Sequence, residues 1–211
     1  QLPLTLTKDN EIIKVKIPFT YTIAPAPLTI KINNAEREYG EDNPTFTYSY
    51  ERFINGEDES SHSSTPKISS SATKTSDVGN YVISGSNATS NHYSISYSTG
   101  VLSITKAPLT AKVENTSKEY GSSNPSFCME FVGLKNGEKT PVWSSSPSYT
   151  TSATIKSSVG EYEISAKATP KNYELSEISS GILKITKAPL TLQANDLSKT
   201  YYSENPELTY T

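Results

Sequence analysis

The sequence contains one cysteine, Cys128, so no disulfide can form within the chain. Its two histidines, His62 and His92, stand far apart and with a single Cys do not make the ligand set of a zinc site. Nor is there an excess of basic charge: 19 Lys and Arg are interspersed among 22 Asp and Glu, for a formal net charge of −3. A nucleic-acid partner is therefore not expected, because a polyanion calls for a clustered basic face. No apolar run approaches the ~18–20 residues that span a bilayer as a helix. The N-terminus lacks the basic, apolar and small-residue order of a secretory leader, so the chain reads as a fragment of a longer product. No stretch of helix length carries helical periodicity. With only 34% apolar residues, what remains is material for thin cores.

What the sequence does have is a repeat. Ala-Pro-Leu-Thr begins at Ala26, Ala107 and Ala188, and Pro27, Pro108 and Pro189 are 81 residues apart both times. The register continues through Tyr39, Tyr120 and Tyr201, then through Asn43-Pro44, Asn124-Pro125 and Asn205-Pro206. Asn55-Gly56-Glu57 matches Asn136-Gly137-Glu138, and Val78-Gly79 matches Val159-Gly160. Residues 26–106 and 107–187 are thus two full modules, and 188–211 the start of a third that is expected to continue. Residues 1–25 read as closing strands of a preceding module, with Phe19–Ile23 falling where Gly100–Ile104 falls. Before it, a hairpin turned at Lys8-Asp9-Asn10 is expected, with alternation at Ile13, Val15 and Ile17.

Inside a module the period is two. Leu28, Ile30 and Ile32 alternate with Thr29, Lys31 and Asn33, and Leu102 and Ile104 with Ser103 and Thr105. Leu109, Ala111 and Val113 repeat the first pattern. This is the signature of half-buried strands. The expected fold is mainly β: tandem small modules, each a β-grasp-like mixed sheet with at most a short helical turn near Asn-Gly-Glu or over Gly137–Ser144. An immunoglobulin-like β-sandwich is the runner-up. Parallel pairing of a module's first and last strands would favour the former, and two packed antiparallel sheets the latter. The joints Lys106-Ala107-Pro108 and Lys187-Ala188-Pro189 are short and stiffened by proline, which points to an extended, semi-rigid rod.

Tyr39-Gly40-Glu41-Asp42-Asn43-Pro44 and its partner Tyr120-Gly121-Ser122-Ser123-Asn124-Pro125 read as turns between strands. Gly admits positive φ, Asn bonds its own backbone and Pro biases its predecessor to extended geometry. A cation loop is disfavoured because Ser122-Ser123 replace Glu41-Asp42. In the third copy Tyr202 stands where Gly is expected, so either that position is not left-handed or that copy turns differently.

This ordered set of motifs, from Ala-Pro-Leu-Thr through Tyr-Gly-x-x-Asn-Pro, Asn-Gly-Glu and Val-Gly-x-Tyr to Gly-x-Leu-x-Ile-Thr-Lys-Ala-Pro, resembles the MBG domain of the Tyr-Gly-x type. The resemblance runs from about Ala26 to Thr211. It implies tandem modules on secreted or surface-attached bacterial proteins, often adhesin-like, with no catalytic residues to carry over. An extracellular setting on the bacterial surface or in secreted form follows as an expectation.

No hydrolytic motif frames His62 or His92, and Lys139 and Thr140 replace the carboxylates Asp58 and Glu59 in the second module. No enzyme, cofactor or metal is expected. The recurring tyrosines 39, 81, 93, 120, 162 and 173 fall on apolar faces and read as framework. The aromatics that do not recur, Tyr97, Trp143 and Tyr149, are the candidate ligand contacts, since aromatic faces stack on sugar rings and fill protein pockets. Cys128 is expected to be part-buried and inert. The expected partners are adjacent modules of the same chain and an extracellular glycan or protein, with the chain itself a monomer.

Overall fold

The computed structural model describes residues 2–8, 11–17, 20–61 and 63–211. His62 lies outside them. The chain divides into two compact units, one of Gln1–Arg37, Glu41–Lys74 and Gly79–Ile104, the other of Glu38–Gly40, Thr75–Val78 and Thr105–Thr211.

The first unit opens with an antiparallel hairpin of β1 (Leu2–Lys8) and β2 (Glu11–Ile17), paired from Leu2↔Ile17 to Lys8↔Glu11. The expected hairpin is present, and its turn residues Asp9 and Asn10 lie outside the described residues. The closing strand expected at Phe19–Ile23 does not form over its described part. Thr20–Pro25 have no strand pairing, and Tyr21 and Ile23 are exposed. The strand to which this segment was compared, β9 (Gly100–Thr105), is held between two hydrogen-bonded neighbours.

The first repeat supplies β3 (Ala26–Ile32), β4 (Ala35–Glu38), β5 (Tyr48–Glu51), β6 (Lys67–Ser70), β7 (Gly79–Ser86), β8 (Tyr93–Ser98) and β9. They form a three-stranded sheet in the order β5-β3-β8 and a four-stranded sheet in the order β4-β9-β7-β6. The second repeat gives β10 (Ala107–Val113), β11 (Thr116–Glu119), β12 (Met129–Val132), β13 (Trp143–Thr150), β14 (Gly160–Pro170), β15 (Tyr173–Ser179) and β16 (Gly181–Thr186). Their order is the same, β12-β10-β15 and β11-β16-β14-β13.

The mainly β, modular expectation is met, and the two finer alternatives each describe part of the result. Each copy has two sheets, as in a sandwich, rather than the single mixed sheet of a β-grasp. Yet the sheets are not simply antiparallel: β3 runs parallel to β8 in the first copy, and β10 to β15 and β11 to β16 in the second. The reason lies in the two-residue step between β3 and β4. Each is too short to serve both layers, so the chain crosses at Asn33-Asn34 and leaves β3 in one sheet and β4 in the other.

Period-two patterning places one row of each sheet inside. In the first unit Leu28, Ile30, Ile83 and Leu102 are fully buried. In the second, Ala111, Val113 and Met129 from one sheet meet Ile164, Leu183 and Ile185 from the other in a single cluster. At ~25 cal/mol per Å² of apolar surface, each fully buried Leu or Ile contributes about 1.5–3 kcal/mol. Asn115 Oδ1 accepts the Ile182 N–H at 2.8 Å, as Asn34 Oδ1 accepts that of Val101 at 2.9 Å, fixing each crossing to the last strand.

A short 3₁₀ turn, Glu59–Ser61, follows Asn55-Gly56 in the first copy, where Asp58 Oδ1 accepts the Ser60 N–H at 2.9 Å. The turn expected over Gly137–Ser144 does not form. Lys139 stands in place of the capping Asp58, and Trp143 already belongs to β13.

Close approach explains Gly181: a Cβ built there lies 2.7 Å from the Val113 carbonyl oxygen and 2.8 Å from that of Glu114. Backbone atoms cannot swing aside as side chains do. Gly181→Ala is expected to destabilise the second unit by about 1–3 kcal/mol, the usual range for overpacking, measured by urea denaturation.

Candidate functional site

The recurring Tyr-Gly-x-x-Asn-Pro loop is built around a buried cation. Lys118, at the centre of β11, is 8% exposed, and its Nζ donates to the carbonyl oxygens of Ser122 (2.9 Å) and Thr154 (2.8 Å). Asn124 Nδ2 donates to the Ala153 carbonyl at 2.8 Å. In the first copy Arg37 takes the same place, donating through Nε to Asn43 Oδ1 (2.8 Å) and through its guanidinium to the Thr73 carbonyl (2.6 Å). Asn43 Nδ2 donates to the Ala72 carbonyl at 2.7 Å. The motif Asn thus ties its loop to a distant carbonyl rather than to its own backbone. In the third copy Lys199 reaches Asn205 Oδ1 at 2.7 Å.

The glycine of this loop is left-handed in both full copies, φ 82° at Gly40 and 83° at Gly121, and Tyr202 adopts φ 64° at the same place. The third copy therefore keeps the turn and carries the strain, about 1–2 kcal/mol for a side chain in that region. Leu190 and Leu192, which repeat the fully buried Leu28 and Ile30, are exposed there.

Within the second unit, Glu138 clamps two phenols. The Tyr39 hydroxyl donates to Oε1 at 2.5 Å and the Tyr173 hydroxyl to Oε2 at 2.8 Å, the two rings meeting edge to face with centroids 5.4 Å apart. The Tyr173 oxygen also accepts the Lys135 N–H at 2.9 Å. The turn presenting Glu138 is closed by its own N–H donating to the Lys135 carbonyl, with Asn136 and Gly137 both at positive φ. This is the backbone that Asn-Gly adopts most readily. Burial first, then the neighbouring Glu138 carboxylate, push the Tyr173 phenol up to about 12. Tyr39 is raised for the same two reasons. Alongside, Asn172 is buried, accepts the Val78 N–H at 3.1 Å and donates to Asp77 Oδ1 at 2.7 Å. Lys171 Nζ meets Asp77 Oδ2 at 2.6 Å. These hydrogen bonds, Lys171 first, hold the Asp77 carboxyl below its ordinary value.

The three aromatics singled out from sequence do not converge. Tyr97, in the first unit, is half-buried against Gly85, and its hydroxyl accepts the Ala88 N–H at 2.8 Å. Trp143 and Tyr149 lie on β13 of the second unit, each half-buried at the margin of the core. Trp143 packs on Phe131 and Tyr149 on Phe127, with centroids 5.8 and 6.0 Å apart. Of the recurring tyrosines, Tyr39, Tyr93 and Tyr173 are buried, but Tyr120 is half exposed. Cys128 is exposed rather than part-buried, because it precedes β12 on the side opposite the inward Phe127. A hydrogen bond with Glu114, ahead of desolvation, pushes its thiol up from the ordinary value. Among the described residues no three His, Cys, Asp or Glu side chains gather as a metal would require, and no helix is long and apolar enough to cross a membrane.

Sequence patterning missed the buried cation and the Glu138 clamp. The signal for the cation was the recurrence of a basic residue at 37, 118 and 199, two positions before Tyr39, Tyr120 and Tyr201.

Two-layer β modules repeated in tandem, with the same fixtures in each, define a class of repeat protein. The MBG domain (YGX type) model matches residues 28–103 and again 109–184, and the chain belongs to that family. No curated protein matches the chain significantly.

Lys118→Met is expected to cost about 1–3 kcal/mol in equilibrium unfolding, since it removes the charged donor from the Ser122 and Thr154 carbonyls. A second expectation concerns alkaline pH. The Tyr173 phenol has its folded value raised from 10.0 to about 12, so the stability it contributes is complete below about 10 and is lost as pH climbs toward 12. Thermal melts over that window should show a decline that Tyr173→Phe reduces.

Proposed function

We propose that the chain is a non-catalytic structural spacer within a bacterial cell-surface or secreted adhesin-like protein. The observation that carries this reading is where the recurring polar residues are used. Lys118, Asn124, Asn115, Glu138 and Tyr173 all spend their hydrogen bonds on holding the fold. A repeat whose motif residues are structural is suited to spacing and presenting other parts of a protein. The family's tandem occurrence supports the same reading, and catalysis has no part in it.

The alternative is a module that binds a glycan or host protein, for which the half-buried Trp143 and Tyr149 on one strand offer the aromatic surface. One experiment separates the two. The full chain is screened against a glycan array and immobilised matrix proteins, with a Trp143→Ala, Tyr149→Ala variant in parallel. A spacer gives no specific signal; binding that disappears in the variant would establish the alternative. Release of the chain's peptides by protease from intact producing cells tests the surface location, and their absence from that fraction would count against it.

A further inference from the structure

The dipeptide Asn-Gly occurs twice in the chain, and its two copies share one backbone conformation. The Glu57 N–H closes the first turn on the Ile54 carbonyl at 3.1 Å, and the Glu138 N–H closes the second on that of Lys135 at 3.0 Å. Asn55 and Asn136 have φ 57° and 54°, and Gly56 and Gly137 both have φ 74°. In each turn the closing bond is made by the Glu, which does not tie up the Gly nitrogen. A Cβ built on either glycine meets nothing within 4 Å. Local sequence and main-chain geometry therefore give the two pairs the same intrinsic reactivity.

What differs is how the side chains are held. In the second unit the Tyr39 hydroxyl grips the turn on both sides of Gly137: it donates to Glu138 Oε1 at 2.5 Å and also interacts with the Asn136 amide. Tyr173 adds its bonds to Glu138 Oε2 and from the Lys135 N–H. Lys135, Asn136 and Glu138 are thus each fixed by a phenol. In the first unit Tyr93 repeats Tyr173, with its oxygen 3.2 Å from the Ile54 nitrogen. Asn55 lines a cavity of about 320 Å³ with His92 and Tyr93, and among the described residues its amide has no hydrogen-bond partner. Both asparagines are exposed, so access to water does not separate them. Freedom of the amide does, because only Asn55 can turn toward its neighbour's nitrogen without first breaking a contact.

We propose that Asn55-Gly56 is a self-modifying site, where the Gly56 main-chain nitrogen displaces the Asn55 amide, and that Tyr39 protects Asn136-Gly137 from the same reaction. The nitrogen bonds to Asn55 Cγ as the Cγ–Nδ2 bond breaks, and ammonia leaves with the proton of the Gly56 N–H. Glycine matters here because no side chain hinders the approach of its backbone. Water then opens the five-membered imide at one of its two carbonyls. One opening gives an aspartyl residue; the other gives an isoaspartyl residue, with the main chain routed through the former side chain. Amide and water become acid and ammonia, and no oxidant or reductant is involved. Either product places a new negative charge beside Glu57, Asp58 and Glu59. The isoaspartyl form also lengthens the main chain between Ile54 and Glu57, which breaks the hydrogen bond that closes the turn. The first unit thus carries a timed and irreversible change that the second, with the same dipeptide, resists.

Incubation of the folded full chain at neutral pH, then proteolysis and mass spectrometry of the two Asn-Gly peptides, tests this. The Asn55 peptide should gain the mass difference between an amide and an acid, and should accept methyl groups from a protein isoaspartyl methyltransferase. It should convert about tenfold faster than the Asn136 peptide, as expected when one hydrogen bond must break before the second amide can react. In denaturant, where only local sequence acts, the two rates should converge. Tyr39→Phe, which keeps the ring and loses the hydroxyl, should raise the Asn136 rate and leave that of Asn55 unchanged. Asn55→Gln should abolish the change in the first peptide. Equal rates in the folded chain, the same ratio in folded and denatured chain, or an Asn136 rate unmoved by Tyr39→Phe would each overturn the proposal.

Discussion

Each module depends on one thin layer of apolar side chains enclosed between a three-stranded and a four-stranded sheet. Every strand gives that layer only alternate residues, and some give only two. Leu183 and Ile185 from β16 face Ala111 and Val113 from β10, and no second layer stands behind them. Under that constraint the hydrophobic term alone is modest, and the ends of the layer must be closed by polar contacts of defined geometry.

Those contacts sit where the sequence recurs. The cation of Lys118 or Arg37 gathers an oxygen of its own loop and a backbone carbonyl of a second loop 36 residues away. The motif Asn does the same from the other side of the loop, reaching across 29 residues. A buried cation is tolerated here because it donates to oxygen acceptors of both loops that it joins. Glu138 serves in a related way: one carboxylate orders two phenols and the turn that carries it. Replacing any one of these groups leaves its partners unsatisfied, which explains why a polar residue with no chemistry to perform recurs at a fixed register.

Much of this architecture was legible beforehand. The 81-residue period and the alternation of Leu28, Ile30 and Ile32 appear as read. Other readings met long-range facts that spacing does not carry. Asn43 was expected to bond locally and bonds Ala72 instead; Cys128 was expected to be part-buried and is exposed. Tyr202 posed a choice between two geometries, and the left-handed one is kept.

The sequence by itself determined which residues face inward, where the chain turns and how often the unit repeats. These follow from interactions between near neighbours: the two-residue pleat of a strand, the positive φ of Asn-Gly, and the fixed φ of proline. Only the tertiary structure decided that each module divides into two sheets, that parallel pairs join strands some 67 residues apart, and that Glu138 holds two tyrosines. Those outcomes depend on which distant segments can satisfy one another's hydrogen bonds once the thin core has closed. No local pattern records that choice.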